Sequence, residues 1–100
     1  MEVKKGDYGF IIPGRVVKAD FTAFNLSGYT VKLKVWAKGN PTPLWTLDGN
    51  VIDIAAGKVE FLVAITHFTQ VGIFVGEIEL IQAGHVESTR SFNVTVLESA

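Results

Sequence analysis

From Thr30 to Ala37, apolar side chains recur at every second position. Val31, Leu33 and Val35 fall on one face, and Lys32, Lys34 and Trp36 on the other. A period of 2 belongs to an extended chain whose successive side chains point to opposite sides; a helix would repeat every 3.6 residues. The pattern returns from Lys58 to Ile65, where Val59, Phe61, Val63 and Ile65 oppose Lys58, Glu60, Leu62 and Ala64. It returns again in Phe74, Gly76, Ile78 and Leu80, opposed by Glu77 and Glu79, with Ile73, Val75 and Ile81 making that strand apolar on both sides at its ends. Phe92, Val94 and Val96 point one way, and Asn93 and Thr95 the other. Two weaker strands are expected earlier, from Tyr8 to Ile12 and from Arg15 to Phe21.

Turn-forming residues divide these runs. Pro13-Gly14 is expected to break the first, Ser27-Gly28 precedes the Thr30 strand, and Gly39-Asn40-Pro41 ends it. Asp48-Gly49-Asn50 carries residues that favour the positive φ of tight turns, so a short hairpin is expected over Thr46 to Ile54. Ala83-Gly84-His85 reads as a hairpin loop between the two C-terminal strands. Ile65 to Gln70 is the one stretch that could hold a helical turn. About seven short strands in 100 residues predict a single domain, residues 1–100, built as an all-β, immunoglobulin-like antiparallel β-sandwich. Val31, Leu33, Val59, Phe61, Phe74, Ile78 and Phe92 are its expected core.

The chain has no cysteine, which rules out disulfides and thiolate metal sites, and its net charge of −1 makes no case for nucleic acid. No apolar run follows the lysines near the start, so no secretion signal is read there, and no stretch approaches the ~20 apolar residues of a bilayer span. A soluble protein made without secretion is expected. Forty-eight per cent apolar against 19% charged is oily for a small monomer. Either the core is unusually full, or an outer face is covered by another subunit or domain.

Nothing in the chain makes an enzyme. His67 and His85 stand apart at expected loops or strand ends, without the closely spaced partners of a zinc site. Ser88, Thr89 and Ser91 lie near His85 in sequence, but no nucleophile signature surrounds them. Glu77 and Glu79 are side by side on one face, whereas glycosidase carboxylates oppose one another across a cleft; they are expected to wet the sheet or pair with lysines on a neighbouring strand. Asp48 to Asp53 has too few oxygen donors for a calcium loop. Asn25-Leu26-Ser27 and Asn93-Val94-Thr95 match the glycosylation sequon, which carries no weight without secretion. No catalytic residue, cofactor or metal is therefore expected.

The tryptophans leave two readings. Trp36 alternates with Lys32 and Lys34, away from the core set. If Trp36 and Trp45 are exposed, their flat amphipathic rings suit a protein contact or stacking on sugars; otherwise an edge or loop covers them. Trp36, Trp45, Ile73 and Val75 form the candidate contact surface.

Three segments in order carry a family resemblance. Asn25-Leu26-Ser27-Gly28-Tyr29-Thr30-Val31-Lys32-Leu33 looks like the pattern "D-L-T-G-A-T-V-x-F". Ile52-Asp53-Ile54-Ala55-Ala56-Gly57-Lys58-Val59-Glu60-Phe61 is similar to "I-x-D-A-A-x-G-K-V-x-Y", and Val71 to Leu80 to "x-G-x-Y-x-A-E-F-E-V". With a closing strand over Ser91 to Leu97, they resemble the N-terminal immunoglobulin-like domain of bacteriophage baseplate upper proteins and related tail proteins. The family's "D-x-D-G" hairpin is replaced here by the more apolar Asp20-Phe21-Thr22-Ala23-Phe24. The resemblance implies a structural, non-enzymatic module of a phage or prophage tail, made in the host cytoplasm and placed in the virion. It would contact other tail and baseplate proteins and further copies of itself, as a homo-oligomer, with no nucleic acid or membrane partner. The alternative is a carbohydrate-binding or adhesin-type sandwich using the tryptophans.

Overall fold

The computed structural model describes residues 1–99. Eight strands follow one another: β1 (Glu2–Lys4), β2 (Ile11–Arg15), β3 (Thr30–Ala37), β4 (Trp45–Asp53), β5 (Lys58–Leu62), β6 (Gly72–Gln82), β7 (His85–Ser88) and β8 (Phe92–Leu97). No helix occurs among the described residues. The strands join in the order β1-β8-β6-β3-β4-β5-β2, and β7 pairs with β6. β1 runs parallel to β8 and every other pairing is antiparallel, so the sheet is mixed. The all-β expectation holds, with eight strands in place of about seven, arranged as a curled sheet.

The curl comes from β4, which serves two ladders. Trp45 to Asp48 pair with β3, and Gly49 to Asp53 pair with β5 across a bulge between Val51 and Asp53. A strand that changes partner this way turns a corner. Asp48-Gly49-Asn50 is therefore not a hairpin turn but the corner inside one continuous strand. Gly49 is required by space: a Cβ there would stand 2.8 Å from Val31 O, 2.9 Å from Val59 Cγ2 and 3.0 Å from Phe61 Cε1.

Pro13-Gly14 also lies within a strand rather than ending one. Val63 N donates to Phe10 O and Val16 N to Gly57 O. Bonded positions alternate in an antiparallel ladder, so Ile12 and Gly14 face β5, and Pro13 turns its missing N–H to the open edge. The expected strand from Arg15 to Phe21 reduces to an isolated bridge between Val17 and Ala23. Ile65 to Gln70 forms turns without a helix. His85 begins β7, and the hairpin loop shortens to Ala83 and Gly84.

The core sits inside the curl. Val31, Leu33 and Val35 of β3, Trp45 and Leu47 of β4, Val59 and Phe61 of β5, Phe74 and Leu80 of β6, and Val94 and Val96 of β8 are all buried. Each fully buried Leu or Phe contributes about 1.5–3 kcal/mol. Ile78 and Phe92, expected inside, are partly buried against this cluster. Ile65, expected on the inner face, is 63% exposed, because the ladder bonds and the alternation carry on past β5 only as far as the buried Val63, and the chain turns after it. Phe68 takes the interior place at 0% exposure. No buried side-chain polar atom lacks a partner among the described residues.

Candidate contact surface

The outer face of β3 and β6 is a grid of charge ending in an apolar corner. Cross-strand neighbours in register share a face, which puts Lys32 opposite Glu79, Lys34 opposite Glu77, and Trp36 opposite Val75. Lys34 Nζ reaches Glu79 Oε2 at 3.0 Å, and Lys32 Nζ reaches Asp48 Oδ1 at 3.2 Å. The expected pairing of the adjacent glutamates with lysines of a neighbouring strand is thus present for Glu79. Such partly exposed pairs are worth about 0.2–1 kcal/mol each.

At the end of this grid stand Trp36, Val75 and Ile73. Trp36 is half-buried, and its indole Nε1 donates to Pro41 O at 3.3 Å. The Gly39–Asn40 turn and Lys38 border a shallow hollow beside it. Ile73, two residues before Val75 on the same face, is 69% exposed. Three of the four residues proposed from sequence therefore lie together.

Trp45 does not join them. It is 6% exposed, on the inward phase of β4, with Phe68 at 5.3 Å and Phe74 at 4.9 Å between ring centroids. Tilted and edge-on pairs at these distances add stability beyond their buried area. Trp45 is a core residue, and the contact assignment is corrected on that point.

Exposed apolar residues continue elsewhere. Ile11 and Leu62 pair on the outer face of β2 and β5, at 50% and 60% exposure. Phe21 is the most exposed large apolar residue, at 81%, in the left-handed region with φ 65°. A full core and an apolar surface thus both contribute to the oily composition.

The histidines have local roles. The nitrogens of His67 span a turn and a strand: Nδ1 accepts from Ala64 N at 3.0 Å, and Nε2 lies 3.1 Å from Thr46 O. An acceptor Nδ1 leaves the proton on Nε2, so the ring links the corner after β5 to β4. His85 Nε2 lies 3.4 Å from Glu87 Oε1 on an exposed strand, with its ring against Tyr29. Among the described residues no three His, Asp or Glu side chains converge as metal ligands.

A hollow of about 680 Å³ lies along the open side of the curl. The segment Arg15–Ala19 and Phe21 form one wall, Glu87–Arg90 the other, and Phe24, Ile78, Leu80 and Phe92 the apolar floor. Sequence reading missed it because its two walls are about 70 residues apart in the chain.

No family model matches the chain, and no curated protein matches it. Solved structures do. The N-terminal domain of phage TP901-1 ORF48 superposes with a TM-score of 0.73 at 16% identity, covering 96% of this chain and 82% of that one. The two share a fold.

Proposed function

We propose that this domain is a non-enzymatic structural module of a phage or prophage tail baseplate, acting through protein–protein contacts in the virion. The observation that carries the proposal is the shared fold with a phage protein's N-terminal domain over nearly the whole chain. The three ordered segments beginning at Asn25, Ile52 and Val71 support it independently, because they resemble baseplate upper proteins. On this reading the curled sheet is an immunoglobulin-like sandwich opened along one side, with β4 shared between its layers. Trp36, Val75 and Ile73 form a contact patch for a neighbouring tail protein or a further copy of the domain.

The exposed apolar residues favour contact over solitary life, since contiguous exposed apolar surface marks interaction sites. The carbohydrate alternative loses half its platform with the burial of Trp45. Light scattering and pull-down with purified tail proteins from the same genome test the proposal. Oligomers or a tail complex weakened by Trp36→Ala and Ile73→Asp support it. A strict monomer with no tail partner counts against it, and a glycan-array response quenching Trp36 fluorescence would revive the sugar reading.

A further inference from the structure

We propose that the open side of the curled sheet takes up an extended, carboxylate-bearing strand of a partner protein, which adds to the free edge of β7. This deepens the reading of the domain as a contact module and rests on it.

The edge comes first. Thr89 N donates to Ile78 O at 2.9 Å, continuing the register in which Leu80 faces Glu87 and Gln82 faces His85. In an antiparallel ladder bonded and outward positions alternate. Glu87 and His85 therefore turn their backbone groups to β6, and Val86 and Ser88 turn theirs away. β7 pairs with β6 alone, and β1 covers β8 only from Thr95 to Leu97, so Val86 and Ser88 present donors and acceptors to no described strand. The far edge of the sheet is blunted by Pro13, but β7 carries no such block.

The hollow beside this edge suits a guest. Its volume of about 680 Å³ lies within the ~300–1,000 Å³ of sites that hold ligands. Ile78 and Phe92 on its floor are only partly buried, leaving apolar area for alternate side chains of an added strand. Phe21 stands at its mouth in a backbone region that costs a non-glycine residue about 1–2 kcal/mol, without burial to offset it. A guest against that ring would supply the missing burial.

Charge names the guest's chemistry. Arg15, Lys18 and Arg90 line the walls against the one lining carboxylate, Glu87, and the Asp20 carboxylate stands near Lys18, which leaves a net positive rim of one charge. The whole chain has a net charge of −1, so this rim opposes the overall sign. Lys18 and Arg90 make no ion pair among the described residues. Side chains of an added strand alternate between its two faces, so a guest that matches floor and walls together carries an apolar residue and a Glu or Asp at successive inward positions, two apart.

The test uses end-blocked, fluorescein-labelled peptides of about seven residues, extended over ~23 Å, in which Val and Glu take turns at every second position with Thr between them, and counterparts with Lys in place of Glu. Fluorescence polarisation is expected to show saturable binding of the Glu peptide only, with NMR shifts at Val86, Ser88 and Phe21. Lys18→Glu with Arg90→Glu should weaken binding at least about tenfold. Val86→Pro removes only an outward N–H and should abolish binding while leaving the melting curve near wild type. No binding by either peptide, equal binding of both, or shifts confined to another face overturns the proposal. So does concentration-dependent dimerisation abolished by Val86→Pro without peptide binding, which assigns the edge to a second copy. If Val86→Pro still captures a tail partner as wild type does, the cleft assignment fails and the contact-module reading stands; if wild type captures none, that reading itself fails.

Discussion

Two corners of this domain hold a phenylalanine in the left-handed region, and they do opposite things with it. After β5 the chain turns at Val63–Gln70, where Phe68 has φ 52° and is fully buried against Trp45. After β2 it wanders through Val16–Tyr29, where Phe21 has φ 65° and is 81% exposed. The backbone penalty is similar at each. At Phe68, burial of a large aromatic side chain exceeds it, and His67 closes the turn by accepting from Ala64 N at Nδ1 and ties it to β4 through Nε2 and Thr46 O. At Phe21 the support is local: Phe21 N donates to Lys18 O, and Thr22 bonds Asp20 through both backbone and hydroxyl. A strained residue held by the core closes the fold, while one held only by its own turn leaves a surface on offer.

The contrast breaks most decisively at Phe68. Phe68→Ala should lower stability by about 3–5 kcal/mol, read as a fall in the urea midpoint. Phe21→Ala, at 81% exposure, should leave the midpoint nearly unchanged. Equal effects would mean that the two corners are not different in kind. His67→Ala should cost about 1–2 kcal/mol, since it strips a partner from Ala64 N–H and from Thr46 O. Hydrogen exchange of Ala64 would show the same loss locally. Phe21→Gly should stabilise. It relieves about 1–2 kcal/mol of left-handed strain, against about 0.4–1 kcal/mol of added unfolded-chain entropy, leaving a gain of about 0.5–1 kcal/mol. A thermal melt that shifts downward would show Phe21 held by more than its own turn.

The smallest effect is expected with pH. The hydrogen bonds from Thr22, side chain first and then backbone, hold the Asp20 carboxyl below its ordinary value of 3.8. A depressed carboxyl stabilises the folded turn above the unfolded pKa, and that contribution is lost as pH falls through the folded one. Thr22 amide exchange should therefore speed up only in acid below the ordinary carboxylate range. Asp20→Asn should remove that dependence, and the Phe68 corner, which has no carboxylate bond of this kind, should not show it.

Much of the molecule was legible from residue types because a half-buried strand writes its own period. Val31, Leu33, Val59 and Phe61 were readable as interior from alternation alone. The outer placement of Trp36 with Lys32 and Lys34 followed from the same alternation. Alternation fails where a strand stops or changes partner. Ile65 continues the pattern of β5 in sequence but lies past its last ladder bond. Asp48-Gly49-Asn50 has turn chemistry, yet its glycine is needed because β4 passes close over Val31 O. Trp45 was unreadable for a related reason: its phase depends on where β4 begins, and only the β3 register sets that.

Residue types alone therefore determined that this chain is built of β-strands, which faces of its long strands are dry, and that its composition is oily for a small domain. These follow from nearest-neighbour chemistry, since side-chain alternation and turn residues act within a few positions. The tertiary structure decided the curl at Gly49, the burial of Trp45 and Phe68, and the cleft between Arg15–Phe21 and Glu87–Arg90. Each of these depends on contacts between segments distant in the chain, and short-range pattern carries no record of which segments will meet.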